Sequence, residues 1–170
     1  RSVIGSLRGE ARRSQYNFLL LSPMPLLQSR WQNNGWVVSS YALHDAQLIL
    51  VFGAGKILRD DHVRVGLRAR APQAKLVGCS TAGEILGTDV SDDGAVAMMI
   101  SFDSTQVTGV YRQIPASDVS ETVGTELGRA VSVPGLRHVL VLSNGLNVNG
   151  TQLVAGIRSE LPEGVSATGG

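Results

Sequence analysis

The residues of this chain that could do chemistry are concentrated in one segment, Gly78-Cys79-Ser80-Thr81-Ala82-Gly83-Glu84. An apolar stretch runs directly into this segment, as is typical of a buried strand that ends in a loop. Small residues let the backbone turn sharply and come close to a ligand. Because open α/β sheets place their binding sites in loops at strand ends, the segment predicts such a site.

The polar side chains of this segment have two interpretations, and both remain open. The hydroxyls of Ser80 and Thr81, with the backbone N–H groups of the turn, suit a carboxylate or phosphate. Glu84 suits an ammonium group, so the segment matches an amino-acid zwitterion. Alternatively, the two hydroxyls cap a following turn and Glu84 lies in solvent.

Cys79 also has a catalytic and a structural interpretation. As a nucleophile, its thiol would form a thioester above an oxyanion hole made by the amides that follow it. Such a thiol needs a base, and the spacing of His44, His62 and His138 places none of them beside it. We therefore favour the structural interpretation, a small apolar residue in a tight turn.

A second polar segment follows the apolar stretch 138–142 and contains Asn144, Gly145 and Asn147. Asparagine offers both a donor and an acceptor. If the preceding strands are parallel, this segment lies at the same sheet edge as the cysteine segment. The alternative is ordinary turn chemistry, because Asn and Gly are common turn formers.

The elements that must position these segments follow the order β-hairpin, βαβ, β-hairpin and αβαβ. The first hairpin has Asn34-Gly35 as its turn signal, with Trp31 and Trp36 on either side. The predicted later strands cover 46–52, 76–79, 95–102, 106–114, 138–142 and 165–168, and the predicted helices cover 57–70, 119–130 and 153–161. This order predicts an α/β fold, a mixed β-sheet with flanking helices.

Composition predicts one ordinary globular domain. The chain has 170 residues, of which 43% are hydrophobic and 17% are charged. Residues 1–22 are expected to be a disordered tail or a vector remnant, which leaves 23–170 as the domain. Arginines give the first thirteen residues a charge of +3, against +1 for the whole chain. No aromatic or structured basic face accompanies these arginines, so no nucleic-acid partner is expected.

Cysteine usage and hydropathy bear on location. The single cysteine excludes an internal disulfide and mildly favours the cytoplasm. No apolar run reaches the roughly 20 residues that a membrane-spanning helix needs, so no membrane association is expected.

Three blocks of the sequence resemble the FIST domain family. The blocks are Leu48-Ile49-Leu50-Val51-Phe52-Gly53, the segment 77–85 with Asp92-Asp93-Gly94-Ala95-Val96, and 139–145 with Asn147, Asn149-Gly150 and Thr168-Gly169-Gly170. The resemblance covers roughly residues 30–170, and its central block is the most specific. Asn144 stands where the family more often has an aspartate.

The resemblance implies a non-catalytic sensory domain of the kind found in bacterial and eukaryotic signalling proteins. Such a domain would bind a small polar ligand, and amino acids are among the ligands proposed for the family. The predicted ligand-binding residues are those of the two polar segments: Gly78, Cys79, Ser80, Thr81, Ala82, Gly83, Glu84, Asn144, Gly145 and Asn147.

The resemblance also implies partners and alternatives. Family members continue beyond the Gly169-Gly170 pair, so we expect the chain to stop before a second half. That half or a signalling protein is the expected partner, and an exposed strand edge also favours a homodimer. No cofactor is expected. Two alternatives remain: a hydrolase or acyltransferase that uses Cys79, and a haem-based nitric oxide sensor, because some family members bind haem.

Overall fold

The computed structural model of the chain describes residues 2–9, 26–38 and 44–170. Its strands are β1 Ser2–Gly9, β2 Leu26–Gln32, β3 Gly35–Val38, β4 Leu48–Gly53, β5 Lys75–Ser80, β6 Glu84–Leu86, β7 Asp89–Ser91, β8 Ala95–Ile100, β9 Thr105–Arg112, β10 Leu136–Leu142 and β11 Ser166–Gly169. Its helices are α1 Gly55–Leu58, α2 Asp61–Arg70, α3 Ser120–Val131 and α4 Gly150–Glu160. The predicted α/β class is confirmed, with both parallel and antiparallel strand pairs.

The chain divides into two compact units. The central unit is Arg12–Asp103, and the terminal unit combines Arg1–Ala11 with Ser104–Gly170. The central unit holds a sheet of order β3-β2-β8-β4-β5 and the small β6-β7 pair, whereas the terminal unit holds a sheet of order β11-β10-β1-β9. The expectation that the two polar segments share one sheet edge is therefore wrong, because β5 and β10 belong to different sheets.

In the central unit, the predicted βαβ crossover is confirmed. Strands β4 and β5 are parallel neighbours, and the helical segment between them breaks once, between α1 and α2. Asp60 caps α2 by accepting a hydrogen bond of 2.9 Å from the backbone N–H of His62. Val63 and Leu67 on the inner face of α2 are buried with Ile49 and other core side chains of the sheet.

The first hairpin is confirmed, with its turn one residue earlier than predicted. Asn33 and Asn34 have φ values of 51° and 58°, and two left-handed residues are the signature of the type I′ turn that fits strand twist. Gly35 already belongs to β3. The rings of Trp31 and Trp36 meet edge to face, with their centroids 5.5 Å apart.

In the terminal unit, the first strand occupies the interior of the sheet. β1 pairs antiparallel with both β9 and β10. The prediction of a tail is therefore wrong for Ser2–Gly9, while residues 10–22 lie outside the described residues. No local sequence pattern predicts this strand, because both of its partner strands lie more than 90 residues further along the chain.

The second predicted hairpin is wrong, and the final αβαβ segment is confirmed. β8 pairs with β2 and β4, whereas β9 pairs with β1. The connection at 103–105 reads as a hairpin turn, yet the chain crosses there from one unit to the other. β10 and β11 are parallel neighbours joined through α4. None of the helices in the described part of the chain has the length and apolar character that crossing a membrane requires.

Candidate functional site

The first three residues of the cysteine segment belong to strand β5, which ends at Ser80, one residue beyond the predicted end. Gly78 lies against β4, where a side chain would collide with the carbonyl oxygen of Val51. Cys79 lies opposite Phe52 in the β4–β5 register and is half-buried. Ser80 closes the strand and is exposed. Close packing of β5 on β4 therefore explains why position 78 is a glycine.

Cys79 has little of the character of a nucleophile. Burial raises the pKa of its thiol, which lowers the fraction of reactive thiolate at neutral pH. The histidines are engaged elsewhere or exposed. The His62 ring bonds to Asp60, the two ring nitrogens of His138 bond to hydroxyls of β11, and His44 lies in an exposed turn. None of the hydrogen bonds of the described residues links a histidine to Cys79.

Glu84 is an internal hydrogen-bond acceptor. Glu84 is only 2% exposed. Its Oε1 accepts a 2.8 Å hydrogen bond from the Thr81 hydroxyl, and its Oε2 accepts a 3.2 Å bond from the backbone N–H of Gly94. The expectation that Glu84 lies in solvent is therefore wrong. The sequence analysis offered this carboxylate as a partner for the ammonium group of a ligand, but both of its oxygens already accept hydrogen bonds from the protein.

The rest of that segment is open to solvent. Ala82 and Gly83 are exposed between β5 and β6. Thr81 is anchored, because its backbone N–H donates a 3.0 Å hydrogen bond to the carbonyl of Gly53. A role in ligand binding for these three residues stays a prediction.

The second polar segment forms the connection from β10 to α4. Asn144 accepts a 3.0 Å hydrogen bond from the backbone N–H of Leu146 through its Oδ1, which is the Asx-turn chemistry of the alternative interpretation. Gly145 and Asn147 are exposed. Asn149 caps α4, and its own N–H donates to the fully buried hydroxyl of Ser120. Ligand contacts by Asn144, Gly145 and Asn147 stay predictions.

The terminal unit carries a cavity of about 180 Å³ beside this segment. It lies between α4 and the carboxyl ends of the parallel strands β10 and β11, and we call it the α4 cavity. Its lining residues are Val141, Ser143, Gly150, Leu153, Val154, Arg158, Ala167, Thr168, Gly169 and Gly170. Open α/β sheets bind their ligands at this position, outside the carboxyl ends of parallel strands.

The walls of the α4 cavity combine apolar side chains with a few polar groups. Leu153, Val154 and Ala167 supply apolar surface. Arg158 is exposed in the last turn of α4, and its guanidinium has no hydrogen-bond or ion-pair partner among the described residues. Ser143 adds a hydroxyl, and its backbone N–H donates a 2.8 Å bond to the carbonyl of Gly170.

Glycine is required where β11 meets β10. Gly169 has a φ of 134°, and a side chain there would collide with the carbonyl oxygen of Val141. The predicted site residues did not include Gly169, Gly170 or Arg158. The signal that could have found them is the parallel β10–α4–β11 unit, whose strand ends define a crevice before any side chain is considered.

Close packing of two helices fixes the position of α4. A side chain at Gly124 of α3 would collide with the carbonyl of Leu153, and one at Gly156 of α4 would collide with the carbonyl of Glu121. Small residues let the two backbones approach closely. The wall of the α4 cavity that α4 supplies is therefore held against α3.

Two other concavities lie elsewhere. One of about 450 Å³ is formed by loops at the opposite, amino ends of β10 and β11, between 132–137 and 162–165. Another of about 130 Å³ lies in the central unit between the β6-β7 pair and its larger sheet. None of the three concavities is lined by histidine. The described residues also contain no cluster of three or more His, Cys, Asp or Glu side chains that could hold a metal ion.

A family model named FIST N domain matches residues 47–170, which is well over half of the chain. The chain belongs to the FIST N domain family. This family is associated with sensing and signal transduction and is non-catalytic. A comparison of this FIST N domain with curated proteins finds no match, and a comparison with solved structures finds none either.

Proposed function

We propose that this FIST N domain is a sensory module that binds a small polar ligand in the α4 cavity. The observation that carries the proposal is the place of the cavity at the carboxyl ends of a parallel strand pair, where polar groups and apolar walls converge. Family membership supports a sensory role over a catalytic one.

The size of the α4 cavity limits the ligand. An apolar cavity of about 150 Å³ holds a molecule the size of benzene. At about 180 Å³, the α4 cavity suits a molecule slightly larger than that. This size agrees with a metabolite such as an amino acid or a small organic acid.

We propose that the domain passes its signal to the second half that members of this family carry, or to a separate signalling protein. A ligand can shift a conformational equilibrium only through its different affinity for the two states. Because α4 forms one wall of the cavity and packs on α3, a ligand would act on the position of α4. We further propose the cytoplasm as the place of action, on the basis of the single free thiol.

The alternatives gain no supporting observation. A hydrolase or acyltransferase would need an activated Cys79, but burial raises the pKa of that thiol. A haem-based sensor would need an axial ligand for the haem iron, but both ring nitrogens of His138 are bonded to hydroxyls and the His62 ring is bonded to Asp60.

Equilibrium binding to a cavity-filled variant tests the proposal. Val154 lines the α4 cavity and is 45% exposed, so Val154→Trp fills the cavity without disturbing the core. Val65→Trp on α2, where valine is 55% exposed, is the matched control. Amino acids and small carboxylates are titrated by calorimetry and thermal shift. A ligand present at 100 times its Kd should stabilise the protein by about 2.7 kcal/mol.

We expect at least one compound to bind the unaltered chain and Val65→Trp, and to lose its binding in Val154→Trp. Binding that persists in Val154→Trp would contradict a site in the α4 cavity. No binding by any compound would contradict the proposal as a whole.

A further inference from the structure

We propose that Asn144 is a site of spontaneous covalent modification, where the backbone nitrogen of Gly145 displaces the side-chain amide and leaves aspartate and isoaspartate. Asparagine followed by glycine suits this chemistry, because glycine has no side chain to obstruct the attacking nitrogen. The chain contains three such pairs, Asn34-Gly35, Asn144-Gly145 and Asn149-Gly150. The structure distinguishes the three, and the reaction is independent of what the α4 cavity binds.

The reaction consumes one water molecule and releases one ammonia molecule. Hydroxide removes the proton from the N–H of Gly145, and the nitrogen then forms a bond to Cγ of Asn144. The bond between Cγ and Nδ2 breaks, and Nδ2 takes up a proton and leaves as ammonia. Water opens the resulting five-membered succinimide at either carbonyl. Cleavage at Cγ gives aspartate, and cleavage at the backbone carbonyl carbon gives isoaspartate.

The peptide between Asn144 and Gly145 is little constrained. Both residues are exposed, and Leu146 after them is 92% exposed. Among the described residues, neither the carbonyl of Asn144 nor the N–H of Gly145 forms a hydrogen bond. A methyl group placed at Gly145 would meet no atom of those residues within 4 Å beyond its chain neighbours. Rotation of this peptide towards the side chain therefore breaks no backbone hydrogen bond.

The hydrogen bond that the Asn144 side chain accepts favours the reaction. Its Oδ1 accepts a 3.0 Å bond from the backbone N–H of Leu146. Negative charge develops on Oδ1 when a nitrogen attacks Cγ, and a donor that already points at this oxygen stabilises the charge. The turn thus polarises the group that is attacked and leaves the attacking nitrogen unbonded.

Asn149 is held in place by the first turn of α4. Its Oδ1 accepts a 3.2 Å bond from the N–H of Gln152, and its carbonyl accepts a 2.9 Å bond from the N–H of Leu153. Its own N–H donates to the Ser120 hydroxyl. Attack by Gly150 would turn the carbonyl away from Leu153, so the transition state would lose a hydrogen bond. Loss of a hydrogen bond of ordinary strength slows a reaction by about tenfold.

Asn34 is held in place by the first hairpin. It is the second of two left-handed turn residues, with a φ of 58°, and the next residue, Gly35, pairs with Gln32 in the β2–β3 ladder. Rotation of the peptide between Asn34 and Gly35 would withdraw Gly35 from the ladder. We therefore expect a similar slowing at this pair.

The two products change the connection from β10 to α4 in different ways. Aspartate keeps an Oδ1 that can accept from the N–H of Leu146, and its negative charge strengthens that bond. In isoaspartate the former side chain becomes the main chain, which gains one methylene group. The turn at position 144 therefore survives in the first product and is rebuilt in the second.

Peptide mapping by mass spectrometry during storage of the full chain tests the proposal. The folded chain is kept at mildly alkaline pH, and a sample in guanidinium chloride serves as the unfolded reference. Gly145→Ala is the test variant, since Gly145 is not among the glycines with positive φ and a methyl group there has open space. Gly150→Ala, which also adds a methyl group to open space, is the matched control.

We expect Asn144 in the folded chain to convert about tenfold faster than Asn34 and Asn149, because each of these would have to break backbone pairing first. In guanidinium chloride the three pairs should convert at similar rates. Gly145→Ala should slow conversion of Asn144 about tenfold or more, since the methyl group obstructs the attacking nitrogen. Gly150→Ala should leave the conversion of Asn144 unchanged.

Three outcomes would overturn the proposal. Conversion of Asn144 no faster than that of Asn34 and Asn149 in the folded chain would show that the fold does not select this pair. Equal rates in Gly145→Ala and the unaltered chain would exclude attack by the Gly145 nitrogen. Aspartate without isoaspartate would indicate direct hydrolysis of the amide, because a succinimide opens at both of its carbonyls.

Discussion

Glu84 joins two segments of the central unit, one beside it in the chain and one ten positions further along. Its carboxylate accepts from the Thr81 hydroxyl before β6 and from the Gly94 N–H before β8. Buried acceptors of this kind stabilise a fold mainly because their loss leaves buried donors without partners. The bond to Thr81 is local in the chain, but no sequence pattern indicates that Gly94 folds back onto the carboxylate. The burial of Glu84 could therefore not be predicted.

Replacement of Glu84 should separate this structural role from a surface role. We expect Glu84→Ala to lower the free energy of unfolding of the central unit by about 1–3 kcal/mol, because the buried N–H of Gly94 and the half-buried hydroxyl of Thr81 lose their acceptor. Glu84→Gln should retain much of the stability, since the amide oxygen can accept from Gly94 and the Thr81 hydroxyl can accept from the amide nitrogen. Urea unfolding followed by tryptophan fluorescence reports on this unit, because Trp31 and Trp36 both lie in it.

The control is Glu163→Ala, which removes an exposed carboxylate from the terminal unit. It should leave the tryptophan transition where it is. An unfolding midpoint for Glu84→Ala equal to that of the unaltered chain would show that the two hydrogen bonds contribute nothing to stability.

Among the elements, those fixed by neighbouring residues in the chain were predicted and those fixed by distant pairing were not. The apolar run of β4 and the helix that follows it predict the β4–β5 crossover, because both patterns are local. Asp103-Ser104-Thr105 has the composition of a hairpin turn, but pairing of β8 with β2 and β4 decides the sheet. For the candidate site, the ends of β5 and β10 were located, whereas Arg158 was not, since its relevance depends on the placement of α4.

The packing of α3 on α4 makes a prediction about these two elements. Gly156→Ala would place a methyl group against the carbonyl of Glu121 and 2.7 Å from the backbone nitrogen of Thr125. We expect a loss of about 1–3 kcal/mol, the usual effect of overpacking, together with weaker binding in the α4 cavity because α4 is displaced. Hydrogen exchange measured on peptides of α3 and α4 gives the loss of local stability.

Gly150→Ala is the matched control for this substitution, because no atom lies within 4 Å of the methyl group that it adds. Alanine should leave helix stability equal or slightly higher there. If the amides of α3 and α4 are equally protected from exchange in Gly156→Ala and in Gly150→Ala, close contact between the helices is not what holds α4 in place.

At the scale of the whole molecule, the terminal unit closes on itself through a strand that is remote in the chain. β1 lies between β9 and β10 and pairs with both along most of its length. An interior strand supplies hydrogen bonds to two neighbours at once. The sheet that carries the α4 cavity therefore depends on the first nine residues of the chain, although their composition alone suggests a dispensable tail.

Removal of residues 1–9 should unfold or loosen the terminal unit and leave the central unit folded. β9 and β10 would lose the backbone partners between them, so exchange of their amides should accelerate and binding in the α4 cavity should disappear. The urea transition of Trp31 and Trp36 should persist, because β1 contributes no strand to the central sheet. Gly5→Pro tests the same contact by removing one N–H and adding a ring in the interior strand, with Ser2→Pro at the strand end as its milder control. A truncated chain with unchanged exchange in β9 and β10 would show that these residues are a tail after all, since an interior strand cannot be removed without exposing the two strands that it joins.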